Sequence, residues 1–170
     1  MITFEITVRE LQNNKEARVE LPNSRYIEEL TEAFGEGWID NDYEIVDVED
    51  DYNIFYDYKL YGYETLDKLN KLAERIEESC SDQHSLKILR SASEAYTDIE
   101  EVLEILEADE LELYEDMSPE DLAEMYVEDG LFGDVNDKLI VYIDYEKLGR
   151  DIMLDGNYYE TRYGILETRQ

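Results

Sequence analysis

Apolar and polar residues alternate in Glu5-Ile6-Thr7-Val8-Arg9 and again in Arg18-Val19-Glu20-Leu21, the period of two expected of strands buried on one face. Asn13-Asn14 lies between the runs and Pro22-Asn23 follows them, so the pattern predicts a β-hairpin that ends at residue 22. With Asn23 or Ser24 as cap, Tyr26, Ile27, Leu30 and Phe34 follow a helical repeat until Gly35 and Gly37 break it. A third strand is expected over 44–51. Val46 and Val48 would share its packed face, and Asp47, Glu49 and Asp51 would project from the other as a row of carboxylates.

From Thr65 the period changes to that of a helix. Leu66, Leu69, Leu72, Ala73 and Ile76 fall on one side, and Leu86, Ile88 and Leu89 mark a second helical segment. Thr97-Asp98-Ile99-Glu100 reads as a capping box for a helix whose stripe is Ile99, Val102, Leu103 and Leu106. Ser118-Pro119-Glu120-Asp121 is a further helix start, with Ser as cap, Pro in the first turn and two acids near the positive helix end; Gly130 is its stop. The run Lys138-Leu139-Ile140-Val141-Tyr142-Ile143-Asp144-Tyr145 fits either a strand or a helix face. Two closing strands are expected over 156–160 and 164–168.

This order of elements predicts an α+β chain of three small domains in tandem. Residues 1–62 would form a three-stranded antiparallel sheet with a short helix, 63–110 a helical domain and 111–170 a second α+β domain. Neither join is a Pro/Gly/Ser linker, and no internal repeat or low-complexity tract is present.

Composition changes the question from fold to surface. The 170 residues include 46 Asp plus Glu against 15 Lys plus Arg, a formal charge of -31. Disordered acidic tails lack aromatics, whereas this chain has 15 Tyr, 4 Phe and a Trp with 43% hydrophobic residues, so it should fold. The N-terminal residues lack a basic stretch followed by an apolar run, and no segment approaches the roughly 18 apolar residues of a membrane span, so a soluble, cytoplasmic protein is expected.

Catalytic and metal chemistry find little support. Cys80 is the only cysteine and His84 the only histidine, which excludes a disulfide framework, the usual Cys/His zinc site and a self-contained Ser-His-Asp triad. Both fall in a serine-rich stretch that reads as a helix end or loop. Residues 47–52 lack the glycine and the spaced glutamate of a calcium loop, and Gly35-Glu36-Gly37 is too short for a phosphate loop. Among 46 carboxylates, pairs suited to acid/base work arise by chance. No catalytic residue, metal site or cofactor is nominated, and phosphate repulsion argues against direct binding to nucleic acid.

The charge is spread evenly. The three segments hold sixteen acidic against five basic residues, fourteen against five, and sixteen against five. Duplex DNA carries one phosphate charge per roughly 1.7 Å of axis, so the carboxylates correspond to about 23 base pairs, or ~78 Å, and the net charge to about 53 Å. Glu100, Glu104 and Glu107 are spaced at i, i+4 and i+7, where like charges repel. Solubility alone requires only roughly 2 to 8 net charges for a small domain.

A charge-based binding surface is therefore expected. Its candidate phosphate-mimicking residues are Asp40, Asp42, Glu44, Asp47, Glu49, Asp50 and Asp51 in the first segment and Glu94, Asp98, Glu100, Glu101, Glu104 and Glu107 in the second. Glu112, Glu115, Asp116, Glu120 and Glu124 complete the set in the third. Charge alone fits equally an acidic inhibitor or chaperone of another basic nucleic-acid-binding partner, or a salt-adapted protein of unrelated function.

Tyr142-Ile143-Asp144-Tyr145, Gly149-Arg150-Asp151, Gly156 and Gly164-Ile165-Leu166-Glu167 resemble, in kind and spacing, the ArdA antirestriction family of mobile elements and phages. Residues 64–72, with Leu69-Asn70, and Tyr126-Val127-Glu128-Asp129-Gly130-Leu131-Phe132-Gly133 keep the same order and extend the resemblance over most of the chain. The N-terminal third matches mainly in charge and hairpin pattern. The resemblance implies an elongated, curved molecule that dimerises through its C-terminal domain. Its acidic side chains would stand in for the phosphates of B-form DNA, in the DNA-binding groove of type I restriction-modification enzymes of a bacterial host. It also favours a helix over 139–147, leading into Gly149 and a final hairpin. Tyr126, Leu131 and Phe132 fall in the segment it places near the dimer interface, although they fit a plain core equally well.

Overall fold

A computed structural model of the chain describes residues 2–40, 42–60 and 65–169, the side chain of Asp137 excepted. Glu64, where the upstream family match begins, and the expected join at 62 lie outside the described residues. The fold is α+β, with two small antiparallel sheets and eight helices among the described residues. The chain divides into two compact units, Met1–Gln83 and His84–Gln170.

In the first unit the hairpin forms where the alternation places it, as β1 (Phe4–Glu10) and β2 (Lys15–Leu21), paired antiparallel across a turn in which Asn14 takes a positive φ of 53°. Strand β3 (Tyr43–Asp50) pairs with the other side of β1, giving the order β2-β1-β3. Phe4, Ile6, Val8, Val19 and Leu21 are buried on the inner face. Against β2 pack α1 (Tyr26–Phe34) and α3 (Leu66–Ser79), whose Leu66, Leu69, Leu72, Ala73 and Ile76 are all buried as the helical period requires. Trp38 closes one side. Its ring centroid is 5.5 Å from that of Phe34 and 5.8 Å from that of Tyr43, and its Nε1 donates to Thr31 Oγ1 at 2.9 Å.

Three local expectations are corrected. Val46 does not share the packed face with Val48. The register between β1 and β3 shifts between Thr7 and Val8, which pairs Ile45 with Val8 and Val48 with Ile6 and leaves Val46 41% exposed. A bulge of this kind inverts the alternation on one side of itself, and nothing in the strand's own sequence marks it. Helix α1 has Arg25 in the cap position with no side-chain cap; Asn23 Oδ1 accepts from the Arg25 amide at 2.8 Å, before the helix begins, and Ile27 is 43% exposed. A short helix α2 (Ile54–Asp57) follows β3, where no helix was expected.

The second unit holds α4 (Gln83–Ala92, starting on the boundary), α5 (Ile99–Glu107), β4 (Leu111–Glu115), α6 (Pro119–Glu128), α7 (Asp137–Ile140), α8 (Tyr145–Met153), β5 (Tyr158–Thr161) and β6 (Gly164–Thr168). The sheet runs β4-β6-β5. Strand β4 is an addition to the expected elements. Its five residues alternate, but its partner lies about fifty residues onward. Helix α5 is capped by Asp98, not by a Thr97/Glu100 box: the Asp98 side chain accepts from the Glu100 amide at 3.0 Å. Helix α6 starts as its sequence indicates, with a complete Ser118/Asp121 capping box and Pro119 in the first turn, and Gly130 follows it at φ +73°. The ambiguous run from Lys138 is neither a strand nor one continuous helix. It is the end of α7, a turn, and Asp144 capping α8 through the Lys147 amide at 3.0 Å.

Two glycines of the C-terminal pattern are packing requirements. A Cβ at Gly149 would lie 2.2 Å from the Pro119 carbonyl oxygen, so only glycine lets α8 approach the start of α6. Gly164, at φ +127°, would place a Cβ 2.0 Å from Tyr114 O, across the β4/β6 pair. Gly149→Ala is therefore expected to lower unfolding stability by about 3 kcal/mol, whereas Gly156→Ala, at φ +84° with open space around it, should cost only about 1 kcal/mol of backbone strain. Urea denaturation checks both, and equal losses would show that close packing is not what selects Gly149.

Candidate functional site

The outer face of the first sheet is set by strand register. Outward positions line up in three rows across β2, β1 and β3: Glu20, Glu5 and Glu49; Arg18, Thr7 and Asp47; Glu16, Arg9 and Glu44. The last row is partly neutralised, because Arg9 donates to Glu16 and Glu44, each at 2.6 Å. Two hydrogen-bonded carboxylates keep the Arg9 guanidinium above its ordinary pKa. Arg18 reaches diagonally to Glu5. The first row remains three glutamates side by side, an arrangement that destabilises a sheet.

That row continues into a hollow of about 300 Å³ lined by Thr3, Glu5, Glu20, Glu49, Asp50 and Asp51. Its walls are mainly polar, and a concave group of carboxylates focuses negative potential outward. Asp50 differs from its neighbours: its Oδ1 accepts from the amides of Tyr52 and Ile54 at 3.0 and 2.9 Å, and its Oδ2 from Phe55 at 3.1 Å. Both oxygens therefore hold the turn into α2. Glu5, Glu16 and Glu20 were not among the expected site residues, although the hairpin alternation already places them outward with Thr7, Arg9 and Arg18.

The other candidate carboxylates divide by what holds them. Asp40, Asp42, Glu49, Asp51, Glu101, Glu104, Glu120 and Glu124 are exposed, with no cationic partner among the described residues. Asp47, Glu107 and Asp116 are also exposed, and Glu100 is half-buried. Glu94 is held by Arg162 at 2.7 Å, Glu112 by Arg169 at 3.5 Å, and Glu115 by His84 Nδ1 at 2.7 Å and by Lys87. Asp98 caps α5. Cys80, buried, ends α3, and His84 lies exposed in α4. No group of three or more Cys, His, Asp or Glu suited to a metal ion occurs among the described residues.

Tyr126 belongs to the core of the second unit. It is 6% exposed, and its hydroxyl lies 3.1 Å from that of Tyr114 and 3.2 Å from that of Tyr158. Tyr114 and Tyr158 in turn donate to the two oxygens of Glu167 at 2.9 and 3.0 Å. Burial pushes the hydroxyls of Tyr114 and Tyr126 well above their ordinary value, so they remain neutral donors. Phe132 rests with its centroid 6.4 Å from Tyr126 but is 51% exposed, and Leu131 beside it is 60% exposed.

The profile of the family described as antirestriction protein (ArdA) matches residues 2–167. The chain belongs to this family. No individual curated protein matches it. Membership in the ArdA family assigns antirestriction activity, and ArdA proteins inhibit type I restriction enzymes without catalysing a reaction. They act in the host cell, and no described helix is long and apolar enough to cross a membrane. The match spans both units, including the glutamate row and the C-terminal glycines.

One carboxylate of this ArdA chain carries a pH signature. Hydrogen bonds from Lys87 and His84 hold Glu115 below its ordinary value of 4.5. A depressed folded-state pKa contributes stability above the unfolded value, and that contribution is lost as pH falls through the folded one. Glu115→Gln is thus expected to destabilise the protein modestly at about pH 7, with the difference from the parent shrinking as pH falls below the ordinary value of 4.5 and through the lowered folded one. Urea melts across that range test it, and a difference independent of pH would contradict it.

Proposed function

We propose that the chain inhibits by mimicking B-form DNA, its exposed carboxylates taking the places of phosphates in the DNA-binding groove of a type I restriction-modification enzyme. The observation that carries this reading is the row Glu20, Glu5 and Glu49 with its polar hollow. Like charges placed directly opposite one another weaken a sheet, and the row shares only one cation. A surface arranged against its own stability is best explained by what it meets. The two units hold twenty-two acidic against eight basic residues and twenty-four against seven, so each could contribute to the mimic.

The fuller reading includes the tandem of three small domains in a curved, extended monomer, and a homodimer formed through the C-terminal part. A dimer would carry twice the charge, equivalent to about 31 base pairs or ~105 Å if the halves lie end to end, a length suited to a target with a two-part recognition site. The exposed pair Leu131 and Phe132 supports an interface there, with Tyr126 as the buried platform beneath Phe132.

Cleavage and methylation assays with a type I enzyme test the mimicry. Inhibition should weaken steeply as salt rises, because many phosphate-like contacts release counterions. Glu5→Gln/Glu20→Gln/Glu49→Gln should raise the melting temperature by roughly 1–3 °C while reducing inhibition several-fold. Inhibition insensitive to salt, or a triple variant that inhibits as well as the parent, would contradict the proposal. For the dimer, Phe132→Asp should shift the mass in light scattering from two chains to one; an unchanged mass places the contact elsewhere.

A further inference from the structure

A second concavity, in the second unit, differs in kind from the hollow on the sheet. It is a groove of about 410 Å³ lined by Pro119 and Glu120 at the start of α6, by Glu146, Arg150 and Met153 on α8, and by Glu160 on β5. The walls are mainly apolar, with carboxylates supplied by three separate elements. Met153 is half-buried and packs against the cluster of Leu122, Ala123, Tyr126, Ile152 and Ile165, so the floor is continuous with the core of the second unit. The closeness of α8 to Pro119, which Gly149 alone permits, brings the two helices together beside it.

An apolar floor with an acidic rim matches one kind of side chain: a hydrocarbon stem that favours apolar surface, ending in a cation that seeks carboxylates. Arginine fits best, since its planar guanidinium can bond two carboxylates at once and is less strongly hydrated than an ammonium. The groove already holds such a group of its own, Arg150 Nη2 donating to Glu146 at 2.9 Å. Glu120 and Glu160 are exposed and have no cationic partner among the described residues. The positive end of α6 would oppose a cation, but there the Ser118/Asp121 box occupies the capping position and two carboxylates stand in the first turn.

We propose that this groove is a socket for an arginine side chain of the protein that the chain inhibits. It rests on the mimicry reading and sharpens it: the sheet hollow offers charge alone, whereas this groove also grips the stem. Charge removed here should then matter more than the same charge removed from a purely electrostatic surface.

The test begins with the whole protein alone. N-acetyl-arginine methylamide, titrated into isotopically labelled protein at constant ionic strength, should shift the amides of Glu120, Met153 and Glu160 saturably. Guanidinium chloride, which has the head without the stem, should bind there at least several-fold more weakly. Glu120→Gln/Glu160→Gln, both at exposed positions, should weaken the arginine probe about tenfold, and a thermal melt confirms that the variant is folded. The control Glu29→Gln/Glu32→Gln removes the same charge from exposed positions of α1, outside the candidate phosphate-mimicking set, and should have little effect. Equal responses to the two probes, or shifts spread over every acidic surface, overturn the socket. In the cleavage assay the groove pair should cost roughly tenfold in inhibition and the control pair under twofold; equal losses also overturn it. If the parent fails to inhibit, the mimicry reading falls, whatever the probe titration shows.

Discussion

Repulsion among carboxylates is the constraint under which the rest of the structure is arranged. With 46 acidic and 15 basic residues, each cation matters by where it stands. Several join segments far apart in sequence: Arg9 bridges Glu16 and Glu44, Arg18 meets Glu5, Lys87 meets Glu115 and Arg162 meets Glu94. Exposed pairs are individually weak. Their value lies in position, since closing a sheet or seating a hairpin brings carboxylates together, and a guanidinium at that point removes the strongest repulsion. Arg162 and Arg90 also lie over the Tyr163 ring, 5.9 and 5.1 Å from its centroid, so the β5/β6 turn is held by cation–π contact as well as by charge.

A second part of the acidity is absorbed by the backbone. Asp50 holds the turn into α2, Asp98 caps α5, Asp121 completes the α6 capping box and Asp144 caps α8. Carboxylates at helix starts satisfy free amides and face the positive end of the helix dipole, so here negative charge stabilises the fold. The Ser118 hydroxyl and amide hold Asp121 below the usual carboxylate range, as such bonding requires. The carboxylates exposed after pairing and capping include Glu49 on the sheet face, Glu101 and Glu104 on α5, and Glu120 and Glu124 on α6. For an inhibitor that performs no chemistry, this remainder is the part available to a partner. The sheet hollow and the α6/α8 groove present it differently, one through polar walls and the other over an apolar floor.

The helical periods of α3, α4 and α6 were legible because each buries a stripe that recurs in its own sequence, and the Ser118-Pro119 start was legible because capping is local. The β1/β2 hairpin was legible for the same reason. Strand β4 was hidden because its partner β6 is distant, and the exposure of Val46 because a bulge belongs to a strand pair and not to one strand. The acidic surface was legible as a quantity, but its membership was not. Asp50, Glu94, Asp98 and Glu115 look like any other acid in the sequence, and only the folded chain brings an amide or a cation to each. Glu5 and Glu20 were open to inference from the hairpin alternation; their alignment with Glu49 required the register of a third strand.

By itself, then, the sequence determined the excess of charge, its even spread, the helical cores and the motif spacing of the ArdA family. All of these are properties of residue type and local order. The tertiary structure decided which carboxylates are neutralised, which serve as caps and which stand together in the open. Those outcomes depend on distances of a few ångströms between residues far apart along the chain, and the steep fall of hydrogen bonding and ion pairing with distance leaves them unreadable until the strands and helices are in place.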